Sequence, residues 1–85
     1  MEYRILLKRK VKVYGDHFHV VLMEFPKWDG TSWFQLIDVY DRCEHDRGIP
    51  YDTLEDAIRG FEAATGVFVS EELKMYLEKR YRIIN

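Results

Sequence analysis

Apolar and polar positions alternate along the first half of the chain and recur at helical spacing along the second. Residues 3–14 set Tyr3, Ile5, Leu7, Val11 and Val13 against Arg4, Lys8, Lys10 and Lys12. Successive side chains of a strand leave opposite faces, so this period of two predicts a strand covered on one side. Gly15-Asp16 follows, and then residues 17–25, HFHVVLMEF. A two-residue break containing glycine between strand-like runs predicts a tight hairpin with a primed turn. A loop at Gly15-Asp16 sets Val13 opposite Phe18, Val11 opposite Val20 and Lys12 opposite His19. Carried further, the same register sets Arg9 against Leu22 and Leu7 against Glu24, which buries badly. A β-bulge between about residues 7 and 10, or between 22 and 24, is expected to restore the phase.

Residues 26–32, PKWDGTS, hold the proline, aspartate and glycine of a chain reversal. A third strand over residues 33–40 then pairs with the second as a meander. It is apolar on both sides, with Trp33, Ile37 and Val39 against Phe34, Leu36 and Tyr40. Such a strand is covered twice or presents one side to a partner. Residues 41–50 read as a polar loop.

Helix one begins near Asp52 or Thr53, with Asp52 and Glu55 spaced as a capping box. Leu54, Ala57, Ile58, Phe61 and Ala64 form one apolar stripe, and Gly66 supplies a left-handed stop. Residues 67–69 are too short to separate an edge strand from a buried connector. Helix two starts at Ser70, with Glu71 and Glu72 in its first turn and Lys79, Arg80 and Arg82 towards its end, as the helix dipole favours. Leu73, Tyr76, Leu77, Arg80, Tyr81 and Ile84 share a face, and Lys74, Glu78 and Arg82 form an i, i+4 ladder on another. Nothing in the pattern decides whether this helix packs on the sheet or projects from it. The expected architecture is α+β: a three-stranded antiparallel β-meander followed by two helices (β-β-β-α-α), with helix one packed across the sheet to cover it.

Composition narrows the setting. Eighty-five residues make a single domain, residues 1–85. With 47% apolar and 33% charged residues the chain falls among folded globules, not disordered segments. The one cysteine, Cys43, excludes an internal disulfide and points to a reducing, cytoplasmic setting. Residues 1–13 lack the pattern of a signal peptide, and no apolar run approaches the length of a membrane span, so a soluble protein with no membrane association is expected.

Charge is segregated. Residues 1–12 hold Arg4, Lys8, Arg9, Lys10 and Lys12 against Glu2, whereas residues 38–62 hold eight acids against Arg42, Arg47 and Arg59; the whole chain carries only −2. Segregation of this kind suits steering of a charged partner or head-to-tail self-association. Arg4, Lys8, Lys10 and Lys12 are therefore candidates for phosphate contact, with Tyr14, Trp28, Trp33 or Phe34 near enough to stack on bases. The overall acidity weighs against that reading, and lysines on an edge strand also serve to block edge-to-edge aggregation.

His17 and His19 share a strand face, and Cys43 and His45 supply two further metal-ligand types. A cation opposite His19 and the absence of CxxC or HExxH spacing argue against a metal, and no cofactor is expected. No glycine-rich phosphate loop, nucleophile elbow or zincin helix is present. Cys43 and His45 stand two apart in a polar loop, where activation of the thiol is disfavoured. The stretch YDTLEDAIRGFE is a common way of starting a helix and carries no functional inference. Aromatics make up 15% of the chain, more than a small core absorbs. Trp28, Trp33, Phe34 and Tyr40 are the candidate anchors of a protein interface.

The reading is thus a small non-enzymatic interaction module for a protein partner, an accessory, regulatory or inhibitor protein for which a phage or mobile element is one source, with a homodimer as one form of association. The alternative is nucleic-acid binding through the basic first strand.

Overall fold

The computed structural model describes residues 3–48 and 50–84, with side chains described as far as residue 77. Four strands, β1 (Arg4–Val13), β2 (Asp16–Pro26), β3 (Ser32–Val39) and β4 (Glu44–Asp46), form one antiparallel sheet in the order β1-β2-β3-β4. Two helices, α1 (Leu54–Thr65) and α2 (Glu71–Ile84), follow. The α+β meander with a helix across it is as the periodicity predicts. The fourth strand is an addition from residues read as loop. Tyr40 donates its N–H to the Cys43 carbonyl at 2.8 Å, and the tight turn this makes lays Glu44 beside Val39 and Asp46 beside Ile37.

The β1–β2 register differs from expectation. The loop is Tyr14-Gly15, both at positive φ (49° and 88°), so Val13 faces Asp16 and Val11 faces Phe18. This is the primed geometry that matches strand twist; tyrosine at its first position hid the turn, because a non-glycine residue seldom adopts positive φ. The shift is by two, so the faces keep their parity. Lys12 consequently pairs with His17 and Lys10 with His19. The two-residue shift already sets Leu7 opposite Leu22 instead of Glu24; the bulge lies between Ile5 and Leu7, earlier than expected, and brings Ile5 opposite Met23 and Arg4 opposite Glu24.

One face of the sheet carries the core. Phe18, Val20 and Leu22 of β2 and Phe34 and Leu36 of β3 are buried against Leu54, Ala57, Ile58 and Phe61 of α1, with Leu7 and Val11 of β1 packed at the side. These helical positions are the predicted apolar stripe. The α1 cap is Thr53, whose hydroxyl accepts from the Asp56 N–H at 3.2 Å, in place of the expected Asp52; Thr53 lies three residues before Asp56 and so reaches the third helical amide. Gly66, at φ 71°, closes α1 by donating to the Glu62 carbonyl at 2.8 Å.

Helix two docks by its first half. The Ser70 hydroxyl accepts from the Leu73 N–H at 3.2 Å, Leu77 is buried in the core, and Val69 enters the core from the connector. The Glu62 carboxylate ties the junction, accepting from the Val69 N–H at 2.8 Å and lying 3.4 Å from Lys74 Nζ. Leu73 and Tyr76, expected on the same face as Leu77, are exposed. The expectations placed on Glu78, Lys79, Arg80, Tyr81, Arg82 and Ile84 lie outside the described side chains.

The two sheet edges differ. β1 is a ten-residue free edge on which Lys8, Arg9, Lys10 and Lys12 are exposed. The other edge is occupied by the three residues of β4 and, beside Phe34, by Tyr51, which exchanges two 2.8 Å backbone hydrogen bonds with it. Tyr51 also explains Gly60 in the middle of α1: a Cβ there would strike the Tyr51 hydroxyl and lie 2.7 Å from its Cζ. Gly60→Ala gains about 1 kcal/mol of helix propensity but overpacks a filled site at about 1–3 kcal/mol. The expected outcome in urea denaturation is a net loss of stability that reverses to a gain when Tyr51→Ala opens the space. Phe34→Ala, at a fully buried ring, is expected to lower stability by about 3–5 kcal/mol in the same measurement.

Candidate interaction face

The described side chains of the helices that enter the core lie on one side of the sheet, and the opposite side carries side chains outside that core. The bulge at Leu6 decides what stands there. Beyond it the pairing of Ile5 with Met23 and of Lys8 with Val21 puts Tyr3 and Ile5 on the same face as Lys8, Lys10 and Lys12. The expected grouping of Tyr3 and Ile5 with Leu7 and Val11 is therefore overturned. Arg4 leaves the lysines as well: it lies on the helix-covered side, paired with Glu24, 4.0 Å from a carboxylate that is buried and also accepts from the Ser32 hydroxyl at 3.2 Å.

Reading across the strands, the open face is a set of rows. Tyr3, Phe25 and Trp33 form the first, with Phe25 stacked on Trp33 at 4.2 Å between centroids and Tyr3 tilted against Phe25 at 6.1 Å. Ile5, Met23 and Gln35 form the second; Lys8, Val21, Ile37 and Asp46 the third; Lys10, His19, Val39 and Glu44 the fourth. Lys12 and His17 close the far end. A cleft of about 430 Å³ runs over this surface, lined by Tyr3, Ile5, Val21, Met23, Phe25 and Ile37 among others. Ile5 is 56% exposed, while Val21, at the centre, is shielded by its neighbours to 3%.

Charge is ordered across the same rows. Lysines line the β1 edge, and Glu44 and Asp46 stand on β4 at the other edge. Asp46 is held in place, accepting from the Gln35 side-chain amide and from the Gly48 N–H at 3.2 Å. None of Lys8, Lys10, Lys12 and Glu44 takes part in an ion pair among the described residues. Three strand spacings, about 14 Å, separate the two edges, too far for them to neutralise each other.

The four aromatic anchors read from the sequence divide. Trp28 is 98% exposed at the tip of the β2–β3 turn, and Trp33 belongs to the aromatic row. Phe34 is a core residue, and Tyr40 stacks on Phe18 at 5.0 Å on the helix-covered side, so neither is available to a partner there. Tyr14, on the hairpin turn, is fully exposed but far along the strands from the aromatic row. Tyr3, Met23, Phe25, Ile37, Glu44 and Asp46 were missed. For the first the signal was masked by the bulge, and for the last two by the polarity of a short strand.

The histidine and cysteine candidates do not converge. His17 and His19 stand on the open face, whereas His45 pairs with Asp38 and meets Tyr40 edge-on at 5.6 Å on the other side, with Cys43 Sγ 3.4 Å from its Nε2. Among the described residues no group of three or more His, Cys, Asp or Glu side chains could hold a metal ion, and no helix is long and apolar enough to cross a membrane. The chain matches no protein family, no curated protein and no solved structure.

The turn that carries Trp28 is built for a fixed shape. Asp29 Oδ1 accepts from the Thr31 N–H at 3.0 Å and from its hydroxyl at 2.6 Å, and Gly30 takes the positive φ of 89° that the reversal needs. The Thr31 hydroxyl, helped by its backbone N–H, holds the Asp29 carboxyl below its ordinary value. A depressed carboxyl favours the folded turn above its unfolded pKa and loses that contribution as the pH falls through the folded one. Thr31→Val is expected to move the Asp29 pKa up towards the ordinary carboxylate value, as read by NMR titration of the side chain.

Proposed function

We propose that the chain is a non-enzymatic interaction module whose open sheet face docks a protein partner. The observation that carries this is one uncovered face bearing Tyr3, Ile5, Met23, Phe25, Trp33, Ile37 and Val39 together. A single exposed apolar residue needs no explanation, whereas a contiguous patch bordered by charge is the signature of a docking surface. Its make-up agrees with that of interface centres, where aromatic residues and methionine are enriched and charge is confined to the rim. The partner that fits presents an apolar patch flanked by acid on the side that meets β1 and by base on the side that meets β4. A binding reading is preferred to a catalytic one because Glu24, Glu62 and Asp38, the more enclosed acids, are each engaged by a cation of the scaffold.

Nucleic acid is the less favoured occupant. Withdrawal of Arg4 leaves three lysines in the row, and Glu44 and Asp46 stand on the same face, where a phosphate backbone crossing the sheet would meet them. The distinction is experimental. A photo-crosslinking amino acid in place of Met23 is expected to form adducts with protein, whereas the same group in place of Arg59, exposed on α1, is not; Ile37→Arg is expected to abolish the adducts. Fluorescence anisotropy with single- and double-stranded DNA and RNA is expected to find no binding at physiological salt. Binding that falls steeply with salt and is lost when Lys8, Lys10 and Lys12 become Glu would instead assign the face to nucleic acid.

A further inference from the structure

We infer that the occupant of the open face is a second copy of this chain, docked sheet to sheet about a two-fold axis running parallel to the strands. The inference rests on the docking reading above and names its partner. The deciding observation is the order of charge across the face. Rotation about such an axis reverses the order of the strands but preserves position along them. Each row then lies over the same row of the second copy, reversed. Lys8 falls over Asp46 of the second copy and Lys10 over Glu44, on both sides of the axis. Between them Ile37 lies over the side chains that shield Val21, and at the far end Phe25 meets Trp33. Charges that form no ion pair among the described residues are thus matched twice by a single symmetry operation, as an isologous contact requires.

Other self-pairings fail on the same residues. A two-fold axis perpendicular to the strands lays β1 over β1 and β4 over β4; centred on the third row it sets Lys8 on Lys8 and Asp46 on Asp46 and puts the aromatic row over Lys12 and His17. Side-by-side pairing of two β1 edges brings Lys8, Arg9, Lys10 and Lys12 of both copies together, the arrangement that charged edges exist to prevent. Packed sheets lie about 10 Å apart with strands crossing near −30°, which keeps the rows in approximate alignment over the middle of the face.

Size agrees with a weak dimer. β2 has eleven residues, about 35 Å of strand, and the outer strands stand about 14 Å apart. Because β4 spans three residues, the full width holds only at its rows, so each copy offers at most about 500 Å² and the pair falls at or below the roughly 1,000 Å² at which specific contacts begin, the range of weak contacts. Self-association on the order of micromolar strength is expected, not a permanent dimer.

The test is sedimentation equilibrium of the purified full chain and of two exposed-site variants, Lys10→Glu and Glu44→Lys, from about 1 μM to about 1 mM. The wild type is expected to pass from monomer to dimer. Each variant alone is expected to dimerise at least roughly tenfold more weakly, since like charges then face each other twice. An equimolar mixture of the two is expected to recover wild-type association, because every facing pair is again opposite in sign; this recovery excludes misfolding as the cause of the single losses. A wild type that stays monomeric throughout, or variants that associate as the wild type does, would overturn the inference. If the wild type is monomeric while the crosslinker at position 23 captures a different protein, only the self-pairing is wrong. If that crosslinker forms no adduct with any protein, including this one, the docking reading falls as well.

Discussion

An antiparallel sheet needs one covering layer for each face it buries, and this chain lays down its helical layer on one side. α1 runs across β2 and β3, α2 enters the core at Leu77 among its described side chains, and the connector contributes Val69. The rest of the structure follows from that imbalance. The covered side takes the close-packed residues Phe18, Val20, Leu22, Phe34 and Leu36. The uncovered side is left with a surface that is neither core nor ordinary polar exterior. Its aromatic row satisfies itself by stacking, and its central valine is shielded by longer neighbours, but the apolar area around them has no layer of its own.

Placement of charge depends on a single irregularity. Without the bulge between Ile5 and Leu7, strict alternation would send Tyr3 and Ile5 to the helix side and Arg4 to the lysines. With it, the start of β1 contributes apolar groups to the open face and one cation to the buried Glu24. The bulge thus sorts the first strand into an apolar segment beside the aromatic row and a basic segment beside the hairpin. On the opposite edge the Gln35 amide and the Gly48 N–H hold Asp46 on the open face, so the two edges acquire opposite sign.

Much of this was legible in the sequence, and the failures have identifiable causes. The α1 stripe, the Gly66 stop, the Ser70 cap and the two-sided character of β3 are periodic or local signals, and they read directly. The hairpin turn was displaced by one residue because Tyr14 occupies a conformation its side chain disfavours. β4 escaped notice because three polar residues, Glu44, His45 and Asp46, have no periodicity, and their strand state is imposed by pairing with β3. Of the candidate site, Trp33 and the lysines were visible, but the row to which they belong was not. A bulge changes the face of every residue before it, and the pattern alone did not place it. Phe34 and Trp33 are neighbours of similar hydrophobicity, and only the register tells the core residue from the surface one.

The free edge of β1 and the closed edge beside Phe34 bear on solution behaviour in a way that stability does not capture. Exposed strand edges are where sheets recruit further strands and grow into fibrils. Here the long edge is armed with like charges, and the other is taken up by β4 and the two backbone hydrogen bonds to Tyr51. Lateral growth by strand addition is therefore disfavoured at both sides of the ribbon. A pairing of two such bodies face to face uses up the surface that made it, so an assembly of that kind closes instead of propagating.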